Sequence, residues 1–167
     1  MANPIISSNG LGLYKLTNEH VVQFCKDISD ENKREFEVIY KADPLESLLT
    51  VVNADLSHAV MIDGEVIAVC GMSNDQLWSM FTKKIKKHWR KFVKASPTLI
   101  NFYHYFHDDI ICEIWAENIF VHNWLLHLGF ETVCMSPNED GQSIVSFVRC
   151  NCVQYNVHSE LSRPVMH

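Results

Sequence analysis

Short runs of apolar and β-branched residues recur along the chain with the period of β-strands. The clearest pair, residues 59–62 and 66–70, flanks the dipeptide Asp63-Gly64. Asp-Gly permits the positive φ angles of a two-residue turn, so this pattern predicts a tight β-hairpin. Similar runs predict further strands at residues 12–16, 76–81, 110–116, 130–135 and 144–149.

Segments with helical periodicity lie between these runs. Three helices are predicted before the hairpin, the third over residues 45–52. The residues that can cap or end the first two are Thr17 or Asn18, Ser29 or Asp30, and Pro44.

A strongly basic helix is predicted after the strand at 76–81. Residues 83–94 read KKIKKHWRKFVK, and Thr82 can cap their first turn. Ile85, Trp89, Phe92 and Val93 fall on one side of this helix, and the lysines take the other. Proline breaks most helices, so Pro97 is expected to begin a separate helical segment over residues 98–107.

A last helix, at 119–128, is predicted between a strand and the final strand pair. Asn118 can cap its start, and Gly129 can end it in the left-handed conformation. The order of elements predicts one α/β (α+β) domain with a mixed sheet and a parallel pair in its middle. Residues 1–150 are assigned to this domain, and residues 151–167 to a polar C-terminal tail.

Composition limits the classes of protein to which the chain can belong. The chain has 167 residues, 47% hydrophobic and 20% charged, which suits one globular domain. We find no secretory signal and no run of the ~20 apolar residues that a bilayer span needs, so a soluble intracellular protein is expected. The net charge of −6 argues against general nucleic-acid binding. The basic helix in an acidic protein indicates a local anion site or a partner-binding face.

The sequence predicts no metal site. None of the six cysteines forms a CxxC pair, and the spacing of Cys150, Cys152 and His158 does not match structural zinc patterns. His104, His107, Asp108 and Asp109 form a second polar cluster. We interpret this cluster as a polar helix end.

Residues 116–130, AENIFVHNWLLHLGF, carry a resemblance to the GNAT N-acetyltransferase superfamily. In that segment a strand ends, an Asn caps the next helix, and Leu-Gly-Phe leads into another strand; here these residues are Asn118, Leu128, Gly129 and Phe130. The resemblance covers residues 13–150. It implies a GNAT-like mixed, mostly antiparallel twisted sheet with flanking helices, and acetyl-CoA as the cofactor of an active member.

Within the superfamily, the chain more closely resembles the phage family of internal virion protein A. Asp75-Gln76-Leu77-Trp78, the basic helix and the Asn118–Gly129 helix carry this second resemblance. It implies a protein in the host cytoplasm or the virion, with phage structural proteins or host proteins as partners.

The cofactor signature of an active GNAT enzyme is eroded. The family places a Gly-containing loop after its fourth strand, where backbone N–H groups approach the coenzyme A pyrophosphate. The corresponding residues here, 81–87, contain no glycine, although lysines could hold phosphates by charge. The resemblance therefore implies cofactor contacts from Met80, Phe81, Thr82, Lys83, Lys84, Lys86, Lys87 and Asn118. The alternative interpretation of these lysines is that they form a solvent-exposed basic face without a ligand.

The catalytic residues are also incomplete. Leu125 stands where many GNAT enzymes carry the Tyr that protonates the leaving thiolate, and leucine cannot donate a proton. His122 and His127 are nearby substitutes, of which we select His122. Glu113, in the strand that flanks the cleft of the resembling fold, is the candidate general base.

Three functions are open at this point. The first is a catalytically eroded GNAT-fold protein that acts by binding, in virion assembly or infection. The alternative is an active acetyl-CoA-dependent N-acetyltransferase acting on a small-molecule amine or a protein lysine. The third is a general interaction domain whose basic helix docks on an acidic partner.

Overall fold

An eight-stranded sheet forms the centre of the protein. The computed structural model describes residues 2–151. The strands are β1 (Ile6–Ser8), β2 (Leu11–Lys15), β3 (Ser57–Ile62), β4 (Glu65–Ser73), β5 (Gln76–Phe81), β6 (Asp109–Trp115), β7 (Glu131–Pro137) and β8 (Ser143–Cys150). Their spatial order is β1-β2-β3-β4-β5-β6-β8-β7.

Helices cover both faces of this sheet. They are α1 (Asn18–Lys26), α2 (Asp30–Glu35), α3 (Pro44–Leu49), α4 (Ile85–His104) and α5 (Ile119–His127), and a π-helix (Phe36–Tyr40) continues α2. Apolar side chains of α4 and α5, such as Phe92 and Trp124, pack in one cluster with Phe81. Val21, Phe24 and Leu48, from α1 and α3, pack in a second cluster.

The strand directions confirm the predicted fold class. Every neighbouring pair is antiparallel except β5 and β6, which are parallel and are joined by α4. That parallel pair has a single register partner, Gln76 with Ile111. The predicted hairpin is present, with φ of 51° at Asp63 and 77° at Gly64, as a two-residue turn requires.

Two predictions about α4 are wrong. Pro97 lies inside one continuous helix, because Ala95, Leu99 and Ile100 are buried along the same side as Phe92. Burial of that stripe outweighs the ~3 kcal/mol that an internal proline costs. Thr82 does not cap the helix, which begins at Ile85. The Thr82 hydroxyl instead donates to the carbonyl oxygens of Val66 and Ile67, at 3.0 and 3.1 Å.

Smaller differences concern the two ends of the chain. The short strand β1 was not predicted. Apart from Asn151, the tail, with Cys152 and His158, lies outside the described residues, so the domain boundary at 150 stays a prediction. In the described part, no group of His, Cys, Asp or Glu is placed to hold a metal ion. No helix among these residues is long and apolar enough to cross a membrane.

Candidate functional site: the cleft between β5 and β6

The candidate site lies where the two parallel strands diverge. Because only Gln76 and Ile111 pair, β5 and β6 separate toward their C-terminal ends, Phe81 and Trp115. Backbone groups along the separating edges then need other partners. The helix α2 and the residues before it supply them.

Residues 27–32 bond to the free edge of β5. The Phe81 N–H donates to Asn32 Oδ1 at 2.8 Å, and the Phe81 carbonyl accepts from the Ser29 N–H at 2.9 Å. The Lys83 N–H donates to the Asp27 carbonyl at 2.7 Å. These three backbone groups at the C-terminal end of β5 are therefore already bonded within the chain.

Glu35 bonds to the other side of the cleft. It is 6% exposed and accepts hydrogen bonds from the Trp115 N–H at 3.3 Å and from Asn118 Nδ2 at 3.3 Å. Asn32 Nδ2 donates to the same carboxyl group at 3.1 Å. One turn of α2 thus connects β5, β6 and the first turn of α5.

Burial raises the pKa of Glu35 above its usual value of 4.5, although its three hydrogen-bond donors oppose the shift. The folded state therefore holds the proton at pH values where the unfolded state has released it. Stability from this group is present at low pH and is lost as the pH rises from about 4.5 through the raised pKa.

A Glu35→Gln variant should remove this pH dependence. Relative to the parent, its free energy of unfolding is expected to rise across that window by ~1.4 kcal/mol per unit of pKa shift. Denaturant unfolding at a series of pH values measures the difference. Glu37→Gln, at an exposed neighbouring position, is the matched control. Parallel stability curves for the parent and Glu35→Gln would contradict the assignment.

Three of the four lysines at the start of the basic segment are paired with acids. Lys83 pairs with Asp30 at 3.2 Å, and Lys84 pairs with Asp27 at 3.1 Å. Lys84 and Lys87 both approach Glu65, at 3.6 and 3.5 Å. These pairs neutralise much of the positive charge that the sequence places before and in the first turn of α4.

Little open space remains in the cleft. The cavity at the end of β5, lined by Asn32, Phe81, Ile85, Lys86 and Asn118 among others, holds about 30 Å³. That volume accommodates about one or two water molecules. Of the residues predicted to contact a cofactor, Phe81, Lys83, Lys86 and Asn118 line this cavity. Met80 lines a pocket on the other sheet face, Thr82 bonds to β4, and Lys84 and Lys87 lie beside Glu65. Their contact with a cofactor stays a prediction.

The two candidate catalytic residues lie on opposite faces of the sheet. Glu113 is exposed and accepts a hydrogen bond from Gln76 Nε2 at 3.2 Å, on the face that carries Trp115. His122 packs edge-on against Phe147, with ring centroids 5.1 Å apart, in the opposite layer. Phe147 pairs with Cys112, whose side chain points away from that of Glu113 by strand alternation. The structure does not bring Glu113 and His122 together.

Sequence reasoning missed the residues that close the cleft. Ser29, Asn32 and Glu35 recur every third position, which places polar groups on one side of a helix. That spacing is a usable signal of a polar helix face. The backbone groups that this polar face contacts belong to Phe81 and Trp115, which lie far away in the sequence. No local pattern indicates these contacts.

Solved structures of acetyltransferases share this fold. A GNAT-family acetyltransferase from Bacillus anthracis matches with a TM-score of 0.66 and 13% identity, over 87% of this chain and 97% of that chain. The ribosomal-protein-S5-alanine acetyltransferase of Vibrio fischeri matches with a TM-score of 0.61 and 11% identity, over 87% and 96%. RimL, a ribosomal L7/L12 α-N-protein acetyltransferase in complex with coenzyme A, matches with a TM-score of 0.61 and 10% identity, over 87% and 97%.

These matches establish a GNAT fold. At such low identity they concern the fold and not the activity. No protein-family model and no curated protein matches the sequence. The phage resemblance therefore has no support from the comparisons, whereas the acetyltransferase alternative has general support from the fold.

Proposed function

We propose that this protein acts by binding other proteins through a GNAT fold whose cofactor cleft is closed. The hydrogen bond from the Phe81 N–H to Asn32 carries the proposal. In a working transferase, N–H groups at this strand end would polarise the thioester carbonyl, in the manner of an oxyanion hole. Asn32 takes that donor, and Glu35 fixes the opposite strand.

The region before and at the start of α4 supports the same conclusion. Residues 81–87 contain no glycine, so side chains hinder the approach of a pyrophosphate to the backbone. Lys83, Lys84 and Lys87 are paired with carboxylates and would have to leave them to bind a phosphate. Because these pairs are largely exposed, breaking them costs little, and the missing glycines account for most of the penalty for binding coenzyme A.

The partners we propose are structural proteins of a phage particle or proteins of its host. The resemblance of residues 75–78, the basic helix and the Asn118 helix to the internal virion protein A family supports this choice. A place in the host cytoplasm or the virion follows from the same resemblance. An acidic protein of net charge −6 suits protein partners better than nucleic acid.

The second candidate function is acetyl-CoA-dependent N-acetyl transfer, which the fold of the structural neighbours favours. The divergence of β5 and β6 is the specific observation behind it. With α2 displaced, an acceptor amine would attack the thioester carbonyl, forming the C–N bond and breaking the C–S bond. Glu113 would take the amine proton through water, and the thiolate would leave and be protonated.

Calorimetric titration with acetyl-CoA, with coenzyme A in parallel, distinguishes the two functions. The parent protein is expected to show no binding up to millimolar ligand, because Asn32 and Glu35 occupy the cleft. A variant with Lys83, Lys84, Lys86 and Lys87 changed to Ala tests whether these lysines bind the phosphates of the ligand. Micromolar binding that this variant loses, together with turnover of an amine, would overturn the binding proposal and establish the second candidate.

A further inference from the structure

A second and larger cavity lies on the sheet face opposite α4. It holds about 240 Å³, whereas the cleft at the end of β5 holds about 30 Å³. The π-helix, α3 and strands β4 and β5 surround it. Its lining residues are Phe36, Tyr40, Ser47, Leu48, Val51, Ser73, Trp78 and Met80.

Most of the side chains that form the walls of this pocket belong to a hydrophobic cluster of the core. Phe36 and Leu48 are buried at 3% exposure and pack with Trp78 and Met80 in one cluster. Gly71 leaves room for the Trp78 ring, since a Cβ there would lie 2.6 Å from a ring atom. Walls fixed in this way form the pocket in advance of binding, which lowers the entropy cost of a ligand.

Exposed apolar side chains lie on the elements that form the pocket. Tyr40, which lines it, is 48% exposed, and Leu45 and Leu49, on the helix α3 that forms one wall, are 37% and 40% exposed. Exposed large apolar side chains on the elements around a preformed pocket are typical of an interaction site. The volume is below the ~300 Å³ at which cofactor-sized sites begin, and suits one large side chain as an anchor.

The segment that forms two walls of the pocket carries more acids than bases. Glu37, Asp43 and Glu46 lie on the segment of residues 36–51 that forms two of its walls. Lys41 is the one base in that segment, and its ammonium is paired with Asp140 at 2.7 Å. A cationic partner is therefore complementary in charge to this face.

We propose that this pocket holds one large apolar side chain of a partner protein, on a segment rich in lysine and arginine. The apolar anchor supplies affinity, and the acidic surroundings supply selection and orientation. This inference rests on the proposed binding function and adds the chemistry of the partner.

Selection from a random library of 12-residue peptides tests the proposal. We expect the enriched peptides to carry one aromatic or long aliphatic residue flanked by lysine or arginine. Ser47→Trp fills the pocket, and Ser73→Lys places a cation at its lining. Each should weaken binding of the enriched peptides at least about tenfold. Ser136→Trp, on β7, is the matched surface control and should leave binding unchanged.

The outcomes separate this inference from the function on which it rests. Nuclear magnetic resonance signals of Trp78 and Met80 should move with the peptide, and raised salt should weaken the effect. Enrichment of acidic peptides, no enrichment, or equal binding to Ser47→Trp would overturn the inference. Self-association that occupies the pocket would also overturn it. Acetyl-CoA binding would instead move the signals of Phe81 and Lys86, and would refute the closed cleft alone.

Discussion

Phe81→Ala is expected to lower the free energy of unfolding by about 3–5 kcal/mol. The Phe81 side chain is 2% exposed and meets the rings of Phe92, Phe120 and Trp124 edge-on at 5.4, 5.6 and 5.5 Å. Truncation removes these contacts and leaves a cavity where the strand end, α4 and α5 meet. Urea unfolding followed by tryptophan fluorescence measures the loss.

The control for this substitution is Phe106→Ala. Phe106 is 49% exposed, so its truncation should cost much less. A loss below about 1.5 kcal/mol for Phe81→Ala would mean that the aromatic cluster refills the space. In that case Phe81 would not be the centre of the core beneath the cleft.

Asn32→Ala is expected to cost about 2–4 kcal/mol, because it removes bonds on both sides of the cleft at once. The buried Phe81 N–H loses its acceptor, and the buried Glu35 carboxyl loses one of its three donors. Hydrogen exchange of the Phe81 amide should accelerate, which a general loss of packing would not produce selectively. Denaturant unfolding and exchange measured together provide the test.

Asn123→Ala, at an exposed position of α5, is the matched control and should change stability by less than ~0.5 kcal/mol. An unchanged exchange rate at Phe81 in Asn32→Ala would contradict the role given to Asn32. The cleft would then be closed by the backbone contacts of Ser29 and Asp27 alone.

Features that depend on neighbouring residues could be predicted from the sequence. The Asp63-Gly64 turn, strand β5 at its observed bounds, and the helix between Asn118 and Gly129 each follow from local turn, strand or capping chemistry. Together they were sufficient for the fold class, because the order of elements restricts the sheet to few topologies.

The closure of the cleft could not be predicted in the same way. Asn32 and Phe81 are 49 positions apart, and Glu35 and Trp115 are 80 apart. Residue type alone does not predict which hydrogen-bond partners meet over such separations in the sequence. The lysines illustrate the same limit, since their charge was visible in the sequence and their pairing with Asp27, Asp30 and Glu65 was not.

Pro97 shows how packing can override a local rule. From its local sequence alone, Pro97 predicts the start of a separate helical segment over residues 98–107. The buried run of Phe92, Ala95, Leu99 and Ile100 instead keeps α4 continuous through Pro97, and the Ser96 hydroxyl donates to the Phe92 carbonyl at 2.7 Å.

Because Gln76 and Ile111 form the single register pair between β5 and β6, the sheet consists of two hydrogen-bonded ladders that are joined at one position. Five strands belong to the first ladder and three to the second. Each ladder completes most of its own hydrogen bonds, so the strands contribute little cohesion across the junction. Helices α4 and α5 on one face of the sheet and α2 on the other connect the two ladders across this junction. The mechanical continuity of the domain is therefore a property of its helices.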